Sequence, residues 1–307
     1  MLNDERISKF FYLYLLIHPK NLPILIVMKK FVIFAVIACF WLNTCASKQE
    51  IPVVAEEPKL IEIPKTYMKQ ITKMVLLNDG YYMILINRHS NTYRQIDVDS
   101  FYLGVYAVTQ NEYREVMDAN PSYFKGDALP VENVTWSDAV DYCNRLSERE
   151  GLTPVYKRED NYVTWNRGAN GYRLPTDDEW EYACRAGTTT PFNTGNTITS
   201  NQANYDGRYA YNTNVRGEYR AKTTPVGTFT ANAWGLFDMH GNVWEWCWDN
   251  PNDVNSDTLN VNTASVRVIR GGGWSSSGVS LHSSYRSGYQ PLFKNNYVGF
   301  RVARNAQ

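Results

Sequence analysis

The sequence predicts an α+β fold with small strands, two to three helices and extensive loops. Residues 109–112, 135–138 and 176–179 each begin with Thr and end with Glu or Asp. This spacing is typical of a capping box, in which the Thr oxygen accepts a hydrogen bond from the third helical amide and the acid accepts one from the cap amide. Short runs of β-branched and aromatic residues predict strands, and segments rich in Asn, Gly and Thr predict loops.

The N-terminal part of the chain predicts targeting. A basic Met-Lys-Lys at residues 28–30 precedes an apolar run at 31–41, which is too short for a membrane-spanning helix. Cys45 then follows Leu-Asn-Thr, a pattern that resembles a bacterial lipoprotein signal. We therefore expect residues 28–44 to be a signal peptide, Cys45 to be lipidated, and residues 1–27 to precede the true start codon. An ordinary signal peptide or a longer, uncleaved anchor is the alternative.

The residues from Cys45 onward predict a tether followed by one domain. Residues 45–66 contain three prolines and alternating charges, which favour an extended chain. Residues 67–307 are expected to form the folded domain, lipid-anchored to the outer membrane and displayed at the cell surface. The formal net charge of the chain is zero, which argues against a nucleic-acid partner. We expect a monomer.

The elements of the domain follow one another in a simple order. Strands are predicted at residues 81–86, 100–108, 267–270 and 298–303. The second capped helix has an apolar stripe of period 3.6 and ends at Gly151, and the third ends at Gly187, a residue suited to a left-handed cap. Residues 187–230 show little periodicity and predict a long set of packed loops.

Cysteines and tryptophans are expected in the interior. Cys143, Cys184 and Cys247 follow Cys45, and this odd number does not define a disulfide framework. Cys143 and Cys184 lie on predicted helices among apolar neighbours, so both should be buried free thiols. Four tryptophans close to Cys247 in the sequence are expected to anchor the core and its loops: Trp234, Trp244, Trp246 and Trp248.

The C-terminal segment, residues 270–301, has the most unusual composition of the chain. Between a Gly-Gly-Gly-Trp turn at 271–274 and Gly-Phe-Arg at 299–301, it consists mostly of Ser, Gly, Tyr and Asn. Ser, Gly and Asn provide adaptable hydrogen bonding, and Tyr provides contact area at a low cost in side-chain entropy, as in antibody loops. This composition favours a binding surface over a packed core.

Four motifs together resemble the formylglycine-generating-enzyme, or sulfatase-modifying-factor, family. They lie at residues 134–143, 172–183, 235–246 and 270–274, the last followed by Gly-Phe-Arg at 299–301. The resemblance covers residues 70–305 and implies a C-type-lectin-like fold of small antiparallel sheets, two main helices and many loops. It also implies a structural calcium ion near Asn242 and Glu245, because oxygen-rich loops suit a hard cation. In the second motif, Arg173 is expected to pair with Glu179 or Glu181.

The catalytic chemistry of this family does not match the residues present. The resemblance places a cysteine pair shortly after the Gly-Gly motif, where thiolates would suit a soft metal such as Cu(I). Residues 275–282 contain no cysteine, and none occurs after Cys247. A histidine-iron site would need clustered histidines, but His89, His240 and His282 are far apart in sequence. We therefore predict no catalytic residues.

The C-terminal segment is similar to the variable regions produced by diversity-generating retroelements. Such elements mutate adenines in a template, and codons for Ser, Gly, Val, Tyr and Phe all arise from an Asn codon by changes in its first two bases. Gln290 requires another parent codon, such as one for Lys. The resemblance implies a ligand-binding site made of the following residues, here called the variable positions: Ser275, Ser276, Ser277, Val279, Ser280, Tyr285, Ser287, Gly288, Tyr289, Gln290, Phe293 and Tyr297.

The other residues of the segment are expected to hold this surface still. These scaffold residues are Gly271, Gly272, Trp274, Leu281, Arg286, Pro291, Gly299, Phe300 and Arg301. Four aromatic variable positions are expected to be exposed affinity anchors, since aromatic residues dominate binding hot spots: Tyr285, Tyr289, Phe293 and Tyr297.

The sequence thus predicts a non-catalytic surface lipoprotein that binds an unidentified protein or glycan. Two alternatives stay open. A metal-dependent, oxidase-like enzyme would contain copper or iron, and an undiversified structural envelope protein would show no variation between residues 275 and 297. A near-identical template sequence beside a reverse-transcriptase gene would favour the binding protein.

Overall fold

The computed structural model describes residues 71–87, 92–251, 256–261 and 265–306. The chain divides into two units, Met1–Ile63 and Pro64–Gln307, and all described residues belong to the second. The predictions for the signal peptide, for Cys45, for the tether and for His89 therefore lie outside the described residues and stay predictions. Among the described helices, none has the length and apolar character needed to cross a membrane.

The described residues contain three α-helices: α1 (Gln110–Met117), α2 (Trp136–Arg149) and α3 (Asp177–Arg185). The predicted Thr is the N-cap of each helix, and in each both hydrogen bonds of the capping box are present. The shorter acid of α2 also completes its box, because Asp138 Oδ2 accepts from the amide of Thr135 at 2.9 Å. The predicted helix starts are thus confirmed.

The helix ends differ slightly from the prediction. Helix α2 stops at Arg149, two residues before Gly151, whose φ of 71° lies in the left-handed region. Helix α3 stops at Arg185, and the chain turns through Ala186 with a φ of 45° before it reaches Gly187. The left-handed residue that ends the helix is therefore Ala186, one residue before the predicted Gly187. The Ala186 amide still donates to the Tyr182 carbonyl.

The strands, in chain order, are β1 (Met74–Leu77), β2 (Gly80–Asn87), β3 (Thr92–Val98), β4 (Phe101–Gly104), β5 (Tyr156–Glu159), β6 (Tyr162–Trp165), β7 (Trp244–Trp246), β8 (Thr258–Asn260), β9 (Arg267–Arg270), β10 (Arg286–Tyr289), β11 (Val298–Gly299) and β12 (Ala303–Asn305). Within the described ranges they form four small sheets, with the orders β1-β4-β12, β2-β3, β5-β6-β8 and β10-β9-β7-β11. These pairings are antiparallel except for β7 with β11.

The predicted strand at 298–303 is two strands in two different sheets. Strand β11 pairs in parallel with β7, with Val298 opposite Trp244. Four residues after Gly299 the chain has entered the first sheet, where Ala303 of β12 lies opposite Leu103 of β4. The last residues of the C-terminal segment thus connect two sheets, and Arg301 lies at the crossing. The pattern of residues 298–303 does not indicate this switch.

The core consists of three clusters of buried side chains. The largest joins α1 and α2 to β7, where the indole rings of Trp136 and Trp248 lie 5.3 Å apart. The second surrounds Trp180 of α3, and the third lies beneath the loops around Phe192 and Tyr205. Residues 187–230 contain little regular structure beyond one turn of 3-10 helix, Gly207–Tyr209, as predicted.

The predictions for buried residues are largely confirmed. Cys143, Cys184 and Cys247 are buried free thiols. Trp244, Trp246 and Trp248 are buried, whereas Trp234 is half-buried and packs against the second cluster. The loop-rich α+β class is confirmed as well.

Candidate functional site

The C-terminal segment starts from Arg270, the last residue of β9. The Arg270 guanidinium is fully buried and donates to Asp177 Oδ1 and to Glu181 Oε2 on α3. Its Nη1 also donates to the carbonyls of Ser283 and Tyr285, at 2.9 and 3.1 Å. One side chain therefore ties helix α3 both to the start and to the middle of the segment.

Arg301 fixes the other end of the segment. Its guanidinium is fully buried and donates to both oxygens of Glu245, at 2.6 and 2.7 Å. Further bonds reach the carbonyls of Gly104 and Phe237, each at 3.0 Å. Glu245 Oε2 also accepts from the indole of Trp180 at 2.7 Å. The segment thus ends on a buried, fully hydrogen-bonded ion pair.

The turn after Arg270 requires glycine. Gly271 and Gly272 have φ values of 91° and 77°, which side chains rarely adopt. A Cβ at Gly272 would also lie 2.7 Å from Leu281. Trp274 closes the turn, because its indole nitrogen donates to the Asn296 carbonyl at 2.9 Å and so links the two ends of the segment.

Exposure separates the variable positions from the scaffold residues. None of the variable positions is buried: Ser275, Val279, Tyr285 and Gln290 are exposed, and the others are half-buried. Most scaffold residues are buried: Gly271, Gly272, Leu281, Pro291, Gly299, Phe300 and Arg301. The exceptions are half-buried Trp274 and exposed Arg286, which pairs with Asp177 at 3.1 Å.

The expectation that all four aromatic anchors are exposed is wrong for three of them. Only Tyr285 is exposed, at 37%, and its ring lies 6.0 Å from that of Trp244. Tyr289, Phe293 and Tyr297 are half-buried and pack against the largest core cluster. Tyr289 stacks on Phe293 with ring centroids 3.9 Å apart, and its hydroxyl lies 3.3 Å from that of Tyr297.

The cause of this burial is the path of residues 290–297. The amide of Trp136, the first residue of α2, donates to the Pro291 carbonyl at 3.0 Å. The amide of Asn133 likewise donates to the Asn295 carbonyl at 2.9 Å. These bonds fasten the end of the segment to the start of α2, so its aromatic rings cover one another and the core.

Residues from distant loops border the segment, and no sequence motif predicted them. We call Tyr123, Phe124, Arg208, Tyr209 and Tyr219 the rim. The Trp274 ring contacts the edge of Phe124 at 5.6 Å and stacks on Tyr219 at 6.1 Å. Tyr123 and Tyr209 are 70% and 64% exposed. No local pattern distinguishes the rim from other loop residues, because only the fold brings Phe124 and Tyr219 beside Trp274.

The two residues expected near a calcium ion have other partners. Asn242 Oδ1 accepts from the Thr224 amide at 2.9 Å and from Asn204 Nδ2 at 3.1 Å. Both oxygens of Glu245 are engaged by Arg301, as described above. In the described ranges, no group of three or more His, Cys, Asp or Glu side chains is arranged to hold a metal ion. The calcium ion therefore stays a prediction, and this geometry lends it no support.

The histidines lie closer together than their sequence spacing suggested. His240 and His282 both contact the Phe192 ring, at 5.5 and 5.2 Å. His240 bonds through Nδ1 to the Leu281 carbonyl at 2.7 Å and accepts from the Asn193 amide at 3.1 Å. Burial lowers the pKa of His240 to about 4, so the ring is neutral at pH 7 and supports the segment from below.

The buried thiols are poor candidates for chemistry. Burial raises the pKa of Cys184 to about 12, and it also raises the pKa values of Cys143 and Cys247. Since the thiolate is the nucleophile and the metal ligand, a thiol that stays protonated and shielded from solvent is unreactive. The described cysteines therefore have structural roles.

A charged cavity of about 550 Å³ adjoins Arg286 of the segment and the start of α3. Asp249 lies in its wall and is buried, and its Oδ2 accepts from the Asp177 amide at 2.5 Å. Burial raises the pKa of Asp249 to about 7, and the nearby carboxylates of Asp177, Glu179 and Asp178 add to the shift. On the same wall, Arg173 pairs with Glu179 at 2.6 Å, one of the two expected partners.

Comparison with known proteins places this geometry in a family. The model of the sulfatase-modifying factor enzyme 1-like domain matches residues 61–306. Chaperone protein LppX of Paenibacillus barcinonensis is 35% identical over 256 residues, which cover 76% of this chain and 89% of that protein. Inactive C-alpha-formylglycine-generating enzyme 2 of Mus musculus is 30% identical over 186 residues, which cover 58% of this chain and 50% of the mouse protein.

A solved structure shares the fold over most of its length. Treponema denticola variable protein 1 has a TM-score of 0.64 and 27% sequence identity, and the match covers 75% of this chain and 94% of that structure. The fold that the sequence resemblance implied, a C-type-lectin-like fold of the formylglycine-generating-enzyme type, is confirmed.

The buried Arg301–Glu245 pair predicts a large loss of stability on disruption. Replacing Arg301→Gln leaves the Glu245 carboxylate buried without its cation, so we expect the free energy of unfolding to fall by about 3–5 kcal/mol in urea titrations. The control is Arg158→Gln, which breaks a partly exposed pair with Asp141. It should lose no more than about 1 kcal/mol. Equal losses in the two variants would contradict the structural role of Arg301.

Asp249 predicts a pH dependence with a defined sign. The pKa of Asp249 is about 7 in the folded state, well above its value in an unfolded chain, so the folded protein keeps the carboxyl proton up to a higher pH. Its contribution to stability therefore falls as the pH rises from about 4 to about 7 and is constant above. Asp249→Asn should be more stable relative to wild type at pH 7.5 than at pH 5, as measured by urea unfolding at both values. A difference that does not change with pH would show that Asp249 titrates normally.

Proposed function

This chain belongs to the sulfatase-modifying factor enzyme 1-like domain family, and we propose that it is a non-catalytic, lipid-anchored binding protein of the cell surface. Its site is the C-terminal segment, residues 270–301, diversified by a retroelement at the variable positions. One observation carries this proposal. Every variable position reaches the surface, whereas most scaffold residues between them are buried.

This arrangement suits a surface whose side chains change. The ends of the segment are held by Arg270 and Arg301 and are joined by the Trp274–Asn296 bond, and its middle is held by the bonds from Arg270 to the carbonyls of Ser283 and Tyr285. A backbone that is fixed before binding loses less conformational entropy when a ligand binds. Exposed side chains can also change with little effect on folding, because they contribute few core contacts.

The residues present also support a binding role over catalysis. The segment contains no cysteine, and the described thiols elsewhere are buried and protonated at neutral pH. A mouse relative carries the name of an inactive member of the family. We propose a protein or glycan ligand, a monomeric chain and a membrane anchor at Cys45.

A second candidate is a chaperone-like role with one fixed partner. The similarity to chaperone protein LppX, which spans 89% of that protein, favours it. In that case the same surface would bind a constant partner, and the variable positions would not vary. An undiversified structural envelope protein makes the same prediction about sequence, so the pattern of variation separates both from the diversified binder.

The first test is to sequence this locus across isolates. We expect substitutions concentrated at the variable positions, unchanged scaffold residues, and a near-identical template with adenines at the variable sites beside a reverse-transcriptase gene. The control is the segment 134–183 of the same chain, which should vary at the background rate. Equal substitution rates in residues 270–301 and 134–183 would contradict diversification and favour the role with one fixed partner.

The second test is the tolerance of the exposed variable positions. A combined variant with Ser275→Tyr, Val279→Asn, Tyr285→Ser and Gln290→Lys should unfold within about 1 kcal/mol of wild type, since exposed substitutions have small effects. Leu281→Ala, at a buried scaffold residue of the same segment, should lose about 2–5 kcal/mol. Comparable losses in the two proteins, measured by urea unfolding, would mean that the segment is packed structure and not a permissive surface.

A further inference from the structure

We infer that the binding surface extends from the variable positions onto the rim, and that the combined surface fits an acidic region of a protein partner. The inference rests on the proposed function, because it assigns the partner's chemistry and adds constant contacts to the same site. It is carried by the connection of the rim to Trp274, by the distribution of charge and by the geometry of the aromatic rings.

Trp274 connects the rim to the variable positions directly. It precedes Ser275, and its indole nitrogen donates to the carbonyl of Asn296, the residue before Tyr297. Its ring contacts Phe124 on one side and Tyr219 on another. The rim therefore lies against the segment where its two ends meet, next to variable positions at both ends.

Arg208 is a preorganised cation at this border. Its Nε and Nη2 donate to the two oxygens of Asp206, at 2.8 and 2.7 Å, and its guanidinium lies 4.2 Å from the centre of the Tyr219 ring. The Asp206 amide in turn donates to the carbonyl of Ser276 at 2.9 Å. Asp206 is buried, whereas the Arg208 side chain is 52% exposed. The positive end of this ion pair therefore faces the solvent beside a variable position.

The exposed carboxylates described near this surface are few and paired. The chain has no Asp or Glu after Asp257, so the C-terminal segment contains none. The exposed Glu218 pairs with Arg220 at 2.8 Å, and the exposed Asp127, in the loop of Phe124, pairs with Arg114 at 2.9 Å. Several cations lie in the segment and in the loops of the rim: Lys125, Arg208, Arg216, Lys222 and Lys294. Complementary charge steers association and disfavours wrong partners, so this surface selects an acidic one.

The aromatic rings of the rim favour a protein over a carbohydrate. The Tyr219 ring is covered by Trp274 and by the guanidinium of Arg208. The rim presents the exposed tyrosines Tyr123 and Tyr209 and the exposed guanidinium of Arg208. Tyr, Trp and Arg are the residues enriched in protein interfaces and in their hot spots. The exposed Tyr123 and Tyr209 would contact the partner on either side of Trp274.

The test uses a random 12-residue peptide library displayed on phage and panned against the full-length protein. We expect the enriched peptides to contain an excess of Asp and Glu, and their binding to weaken as salt is raised. For one synthetic enriched peptide, Tyr209→Ala and Lys125→Gln should each weaken binding by a factor of about 3–10, as expected for interface contacts. Arg208→Gln should do the same, and Arg208→Lys should retain part of the affinity.

Matched variants control for fold and for charge in general. Tyr162→Ala removes another exposed tyrosine, on β6, and Arg158→Gln removes another exposed arginine, on β5. Both should leave peptide affinity unchanged. Because Arg208→Gln leaves buried Asp206 without its cation, its melting temperature is measured as well. Tyr209→Ala and Lys125→Gln remove exposed groups outside any described ion pair, so they test the rim even where Arg208→Gln unfolds.

The outcomes separate this inference from the proposed function. Enriched peptides that are neutral or basic, or rim variants that bind like wild type, would overturn the inference. If the combined variant at the four exposed variable positions then loses binding, the proposed function stands alone. If that variant also binds like wild type, the proposed function fails. Binding of heparin without enrichment of any peptide would identify an anionic glycan and overturn the assignment of an acidic protein.

Discussion

Two buried guanidinium groups hold the C-terminal segment at its ends, and the rest of the site depends on them. Taking an arginine out of water is costly unless its hydrogen bonds and its charge are matched inside the protein. Arg270 meets this condition with two carboxylates and two carbonyls, and Arg301 meets it with one carboxylate and two well-placed carbonyls. Such a demanding set of partners is satisfied in one arrangement only. The ends of the segment are therefore fixed mainly by groups outside it, among them the carboxylates of Asp177, Glu181 and Glu245.

The consequence is a division between backbone and exposed side chains. The hydrogen bonds that position residues 271–298 come mostly from main-chain groups, such as the carbonyls of Pro291, Asn295 and Asn296. Main-chain groups are the same whichever side chain is present, so these contacts persist when variable positions change. Tyr289, Phe293 and Tyr297 are an intermediate case, because they form a ring cluster against the core. Changes there alter packing as well as the binding surface.

The sequence predicted what depends on neighbours along the chain. The Thr-x-x-acid spacing located all three described helices, and composition located both ends of the C-terminal segment. Features that depend on distant residues could not be predicted. The partner of Arg301 is Glu245, 56 residues away, and no local pattern pairs the two. The three half-buried rings were expected to be exposed, because no local pattern shows that residues 290–297 fold back onto α2. The rim was missed for the same reason.

Under the proposed function, a constant rim beside the variable positions would solve a problem of any diversified binding site, namely that most new variants bind weakly. If all affinity came from the variable positions, most new sequences would bind nothing, because few random side-chain sets match a given partner. Fixed groups of the rim would give each new variant a weak initial affinity. Arg208 would attract negative charge on the partner, and Tyr123 and Tyr209 would supply aromatic contacts. The variable positions would then supply the difference between partners, since specificity is a difference of affinities. Under the proposed function, the same fold would thus provide an attraction shared by all variants and a selectivity that differs between them.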